Sequence, residues 1–238
     1  MLIFALDTST PAGSFALLRD GTILGQCAVI PDESYSPNLL RYAASLLEST
    51  RISLEQIDLF AVCAGPGSFT GLRIGLTTAK GWAEIWGKPV AAVSGLEAVA
   101  AQAVPSCAPG SLLGAVLDAR RGQIFGGLFR ITEDRSGTLD PIGVEVLASA
   151  DEFLKSLRTE IADGSSLVLA CTAPELIRPA VERQSLHCRI EAVSNVLAPT
   201  IGQLGYAKAL RGNVVDALHL DANYIRRCDA EVNWKGAE

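Results

Sequence analysis

A few short stretches of the chain carry side chains that could do chemistry. Asp7-Thr8-Ser9-Thr10 follows an apolar run at Leu2–Leu6. A carboxylate and three hydroxyls there make a candidate phosphate-facing turn. The favoured reading is that Asp7 and Ser9 close a tight turn through local hydrogen bonds. GPGSFTG at 65–71 joins a short apolar run to a helical pattern, and a Gly-rich turn at a helix N-terminus suits anions. Its spacing is neither GxGxxG nor Walker A, since no Gly-Lys-Ser/Thr follows and Lys80-Gly81 lies deep in the helical pattern in the reverse order. The favoured reading is that these glycines shape a tight strand-to-helix turn and thin the helix for packing. Asp118-Ala119-Arg120-Arg121-Gly122 places two arginines where a second phosphate loop would want glycine-rich backbone. A hairpin turn with solvated arginines and a partner contact both remain open there.

Metal and nucleophile chemistry find no support. His187 and His219 stand far apart, with no partner at ligand spacing. No Ser/His/Asp arrangement offers an activated nucleophile. Neither a catalytic residue nor a metal ligand is assigned. The candidate nucleotide or phosphate loop consists of Asp7, Thr8, Ser9 and Asp118.

Several elements must position these stretches. Strands are expected at Leu2–Leu6, Ser14–Arg19 and Thr22–Val29, the latter two joined through the hairpin signal Asp20-Gly21. Ser36-Pro37 begins a helix through Ser49, followed by a strand at Leu59–Cys63, a long helix at Phe69–Trp86, a strand at Pro89–Val93 and a helix from Ser94. The order is βββαβαβα. Val104–Gly110, with two prolines and a glycine, is a hinge. After it the opening recurs: Leu112–Asp118 is an apolar strand ending in Asp, and Gln123–Ile131 is its partner. A strand at Leu167–Cys171 and helices at Ala150–Leu157, Ala173–Arg183 and Pro199–Arg211 follow, with a polar loop at Thr132–Pro141 and a frayed last ten residues. Two lobes are expected, 1–103 and 104–238, and Pro199–Arg211 could pack back on the first.

The long helix is unusual. From Leu72 to Trp86 its polar residues Arg73, Thr77, Lys80 and Glu84 form one narrow strip, leaving about twice the ~100° apolar arc that one sheet covers. Gly71, Gly75 and Ala79 recur at every fourth residue, a spacing that lets helix backbones approach closely. These residues, with Leu72, Thr78 and Trp82, are expected to face a partner. Leu39, Leu40, Ala43, Leu46 and Leu47 of the preceding helix complete that surface. On this reading, Gly75→Leu separates partners and leaves the monomer folded.

Composition sets bounds. The 238 residues are 49% hydrophobic with formal net charge -6, enough for real cores but poorly suited to hold a phosphate backbone unaided. No basic stripe interleaved with aromatics is visible. The six cysteines lack CxxC spacing and read as free thiols in a reducing cytosol. No run approaches a membrane span and MLIFALD lacks a basic leader, so a cytoplasmic protein with no membrane contact is expected.

GPGSFTGLR at 65–73, together with DTST at 7–10, resembles the TsaB (YeaZ) family, closely from Met1 to about Gln102. DARRG at 118–122 and Tyr224-Ile225-Arg226-Arg227 are similar to strings of that family, the latter expected as a short edge strand. Where members often show His-Ser-Glu, this chain has Glu33-Ser34-Tyr35-Ser36. The resemblance implies an α/β, actin-like and ribonuclease H-like duplicated fold of two βββαβα-type lobes. In catalytic relatives of that superfamily, an acidic residue placed as Asp7 is helps position Mg²⁺. The resemblance further implies a non-catalytic subunit in the synthesis of threonylcarbamoyladenosine at position 37 of tRNA. It would bind a TsaD-type catalyst, with a TsaE-type ATPase as third partner, reach tRNA only through the complex, and pair with itself when alone. Neither a cofactor nor protease activity is expected. The alternatives are a standalone ATPase or kinase using ATP or ADP with Mg²⁺, and a plain homodimeric interaction protein.

Overall fold

The computed structural model describes residues 1–11, 13–28, 35–133, 138–161 and 166–226. Val29, Glu33, Ser34, Arg227, the sixth cysteine, Cys228, and the last ten residues lie outside that set. Two five-stranded sheets repeat one plan. In the first, β1 (Leu2–Asp7) pairs antiparallel with β2 (Ser14–Arg19), which pairs with β3 (Thr22–Ala28). On its other side β1 runs parallel to β4 (Leu59–Gly65), which pairs with β5 (Val90–Ser94). In the second, β6 (Leu112–Arg120) takes the place of β1. It pairs antiparallel with β7 (Gln123–Ile131) and through it β8 (Leu139–Ala148), and parallel with β9 (Leu167–Cys171) and through it β10 (Arg189–Ala192).

Burial explains which strands the pattern revealed. Every residue of β4 and β9 is buried, so each reads as an unbroken apolar run. The edge strands β8 and β10 were not anticipated. β8 has mixed exposure and contains Pro141 and Gly143, while β10 is four residues long and none of them is buried. Part of the expected loop at Thr132–Pro141 is therefore strand. The expected helix at Ala173–Arg183 is a 3-10 turn, Pro174–Leu176, followed by α5 (Arg178–Gln184). Tyr224–Arg226 is not a strand; the ladder contact of that region is an antiparallel bridge between Val215 and Val90.

On the first sheet, α1 (Tyr35–Thr50) covers β2 and β3, and α2 (Phe69–Trp86) covers β4. The two linking helices exchange sheets. The first-half helix α3 (Gly95–Ala103) lies against β6, β7 and β9, whereas α6 (Ala198–Leu210) lies across β1, β2, β4 and β5. Glycine permits that approach: a Cβ on Gly205 would come 2.7 Å from the Ala61 Cβ. The Ala198 N–H donates to the buried Ser14 hydroxyl at 3.0 Å, fixing where α6 starts. A continuous core links the two sheets, running from Phe4, Phe15 and Phe60 in the first to Leu113, Phe125 and Val168 in the second, and a separate cluster with Leu128, Phe153, Leu169 and Ile177 fills the other face of the second sheet. In the second half, α4 (Ala150–Glu160) packs on β7, β8 and α5. Its Ser149–Glu152 capping box satisfies the first turn.

Candidate functional site

A cleft of about 650 Å³ opens where the C-terminal ends of β1 and β4 meet the β6–β7 turn. Ser9, Thr10, Gly67–Thr70, Asp118–Arg121, Phe125 and Asn223–Arg226 line it. Chain segments distant in sequence thus converge. Of the four candidate phosphate-loop residues, Ser9 and Asp118 reach the cleft, while Asp7 and Thr8 turn inward.

Asp7 is fully buried. Its carboxylate accepts the Ser9 N–H at 2.8 Å, the Ser9 hydroxyl at 2.6 Å and the Thr10 hydroxyl at 3.1 Å. Burial pushes the Asp7 carboxyl above its ordinary range, and these hydrogen bonds hold it partly down. Burial, with the Asp7 charge nearby, also drives the adjacent Cys63 thiol far up, so it stays protonated. The Thr8 hydroxyl donates to the Gly71 carbonyl at 2.6 Å, and the Ser68 N–H donates to the Ser9 carbonyl at 2.8 Å. These bonds stitch the two candidate loops to each other. Gly67 exists for that closeness: a Cβ would come 2.6 Å from the Ser9 Cβ.

Gly71 and Gly75 follow the same logic, which corrects the expected partner face. A Cβ at Gly71 would run into the Thr8 carbonyl oxygen, and one at Gly75 into the Thr8 hydroxyl. Ala79 and Leu72 are buried as well. The row of small residues therefore faces the chain's own β1–β2 turn and sheet, not a second helix. Leu39, Ala43 and Leu46 of α1 are likewise core residues. Among the expected interface residues, Leu40 is 62% exposed, and Leu47, Thr78 and Trp82 are half-buried. Trp82 stands edge-on to Phe4 at 5.3 Å and tilted on Phe60 at 5.8 Å, so much of its ring already has partners. Beside the exposed polar residues Arg73, Thr77 and Glu84, the accessible apolar or small stripe of α2 is Ile74, Thr78, Gly81 and Ile85, the last 71% exposed, and a Cβ on Gly81 would meet open space. The helical wheel could have shown this stripe, but it does not say which of two apolar faces looks inward.

Across the cleft, Asp118 accepts the Arg120 N–H at 2.7 Å and lies 3.4 Å from the Arg120 guanidinium. Arg120 and Arg121 adopt φ of 63° and 57°, so the β6–β7 turn is tight and left-handed. Arg226 donates to the Ala119 carbonyl at 2.7 Å and to Gln123 Oε1 at 2.6 Å, tying the C-terminal stretch to that turn. Asn223 meets the first sheet through an N–H bond to the Ala64 carbonyl at 2.7 Å. Gly65, at φ 123°, sits so close beneath it that a Cβ would strike the Asn223 carbonyl oxygen. At the cleft mouth the Arg73 guanidinium stacks 3.8 Å over the Phe69 ring, and Tyr224 lies 5.1 Å from that ring. Linear reading missed this basic and aromatic cluster because its members come from residues 69–73, 120–121 and 224–226.

A second cavity of about 550 Å³ contains Glu145 and a Glu97–Lys208 ion pair at 3.1 Å. Burial raises the Glu145 carboxyl, which accepts from the Ser94 hydroxyl and from Asn223. Among the described residues, no three His, Cys, Asp or Glu side chains converge to hold a metal ion, and no helix is long and apolar enough to cross a membrane. Cys27, Cys63, Cys107, Cys171 and Cys188 are free thiols.

Residues 29–181 match the family model described as TsaD: tRNA N6-adenosine threonylcarbamoyltransferase. The chain is 32% identical over 158 residues to the tRNA threonylcarbamoyladenosine biosynthesis protein TsaB of Bacillus subtilis, covering 66% of each protein. It is 37% identical over 125 residues to the Escherichia coli protein of the same name, covering 52% of this chain and 53% of that one. YeaZ from Pseudomonas aeruginosa superposes with a TM-score of 0.76 at 27% identity, over 94% of this chain and 99% of that structure. The chain belongs to this family, in its TsaB/YeaZ group. The matched part spans between about half and two thirds of the length of these two curated relatives. The ROK hexokinase of Thermus thermophilus, with a TM-score of 0.52 at 14% identity over 88% of this chain and 100% of that one, shares the fold. The duplicated sheets and exchanged helices are thus the actin-like plan that the TsaB resemblance implied.

Proposed function

We propose that this TsaB-group chain is a non-catalytic accessory subunit in threonylcarbamoyladenosine synthesis on tRNA, and that a TsaD-type partner performs the transfer. One observation carries the reading. The two carboxylates that a nucleotide-handling cleft of this fold would turn toward Mg²⁺, Asp7 and Asp118, are both engaged by hydrogen bonds from their own turns. An acidic group whose lone pairs are already filled by Ser9 and Thr10 orients a loop; it does not orient a metal-bound phosphate.

The partner face is the outer side of α1 and α2, with Leu40 and Leu47 on one helix and Ile74, Thr78, Trp82 and Ile85 on the other. Without a partner, the same face pairs two copies of the chain. A TsaE-type ATPase supplies the third component, and tRNA is held mainly by the assembly, as the net charge of -6 favours. The test is co-purification with the TsaD-type protein of the same cell. A stoichiometric complex is expected; a chain that elutes free of that partner at micromolar concentrations would remove the reading.

A further inference from the structure

We propose that residues 221–226 are a releasable strap that fastens the two lobes across the cleft. After α6 the chain turns at Gly212, pairs at Val215 with Val90 through bonds of 2.7 and 2.9 Å, and buries Leu220. From that root it leaves regular structure and returns to the second sheet. Its holds alternate between the lobes. The Asn223 N–H donates to the Ala64 carbonyl of β4 at 2.7 Å, while its side-chain amide donates to Glu145 of β8 at 2.8 Å. The Tyr224 ring lies 5.1 Å from Phe69 on α2. Arg226 then grips the β6–β7 turn at the Ala119 carbonyl and Gln123 Oε1. The steps from Asn223 to Arg226, at most about 10 Å of extended chain, thus carry the strap from one lobe to the other.

The seat is shaped for the strap. Gly65 leaves room for the Asn223 carbonyl, which a Cβ there would strike. Glu145 also accepts from the Ser94 hydroxyl, so one carboxylate ties the strap to the start of α3. Yet none of residues 221–226 is buried. Hydrogen bonds hold the strap more than packing does, and segments held in that way open locally while the core stays folded. Asn223 lines both cavities, so the lowered strap divides the groove into an end at Asp118 and an end at Lys208. Lifting it joins them. The lobes stay together through the core that α3 and α6 share, and neither half unfolds. A tail resting on one lobe would lose its contacts one by one; a strap that alternates between two lobes loses them as a unit.

The test is hydrogen exchange of the full chain, read at single amides by NMR. In the wild type the Asn223 amide should exchange about a hundredfold faster than the amides of Ala61 and Val62 in β4, because the strap opens without the core. Arg226→Ala removes bonds to the second lobe alone. It should nevertheless speed exchange of the Asn223 amide, whose acceptor is in the first lobe, about tenfold, with the β4 amides unchanged. The reciprocal variant, Asn223→Ala, should speed tryptic cleavage after Arg226, identified by mass, by a similar factor. Circular dichroism checks that each variant is folded, and the wild-type exchange pattern decides the matter even where one is not. The strap is refuted if the wild-type Asn223 amide exchanges at the rate of the β4 amides. It is refuted equally if folded Arg226→Ala leaves Asn223 exchange unchanged, or if folded Asn223→Ala is cleaved after Arg226 at the wild-type rate.

Discussion

The hydrogen bond from the Thr8 hydroxyl to the Gly71 carbonyl, 2.6 Å long and buried, fixes which face of α2 must be glycine. It draws the first turn of that helix onto the turn after β1, and no side chain fits between Thr8 and either Gly71 or Gly75. The small-residue row is consequently a requirement of the monomer. On the function proposed above, partner contacts fall to the accessible Ile74, Thr78, Gly81 and Ile85 stripe beside that row.

Gly75→Leu should therefore destabilise the monomer instead of cleanly separating partners. The added side chain meets the Thr8 hydroxyl and then Val62, so the core must shift. Overpacking of this kind costs roughly 1–3 kcal/mol, and more where backbone cannot move. A thermal melt by circular dichroism is the check, and an unchanged midpoint would contradict the assignment.

Ile85→Glu with Leu40→Glu should do what Gly75→Leu cannot. Both side chains are more than half exposed, so stability should change by less than about 0.5 kcal/mol for each. Self-association and partner capture should both fall at least tenfold in sedimentation and pull-down assays. Folded double variants that still associate would place the interface elsewhere.

Sequence periodicity disclosed most of the fold because most strands here are central. Leu59–Cys63 and Leu167–Cys171 are buried on both sides and could hardly be anything else. β8 and β10 left no such trace, since edge strands bury little and tolerate Pro141 and Gly143. The site was less legible. The Asp7–Thr10 and Gly65–Gly71 motifs stood out, but their side chains spend themselves on one another. The cleft is made by proximity of Phe69, Arg120 and Tyr224, which no local spacing encodes.

Stability should fall as pH rises out of the acid range because of Asp7 and Glu145. Both carboxyls are raised by burial, so between the ordinary carboxylate value and the raised one the folded chain holds more protons than the unfolded chain. Their contribution is fully favourable below about pH 4 and is lost as pH climbs through the folded values. Asp7→Asn keeps the side-chain shape and an acceptor for the Ser9 N–H. Its denaturation free energy plotted against pH should be flatter than that of the wild type, and a parallel profile would show that Asp7 does not titrate as described.

The isolated chain should neither hydrolyse ATP nor take it up in the cleft. Calorimetric titration with Mg-ATP should give no saturable heat, because Asp7 and Asp118 are held by their own turns. Saturable micromolar binding abolished by Asp118→Ala would favour a standalone nucleotide enzyme.

The most direct measurement is a drop-out reconstitution of threonylcarbamoyladenosine formation on tRNA. The TsaD-type partner, the TsaE-type ATPase and the activated threonylcarbamoyl donor are combined with and without this chain, and the modified nucleoside is quantified by mass spectrometry. Modification should require both this chain and the TsaD-type partner, be lost with Leu40→Glu plus Ile85→Glu, and be absent with this chain alone. Product formed by this chain without the TsaD-type partner, or a full rate when this chain is omitted, would contradict the accessory-subunit role.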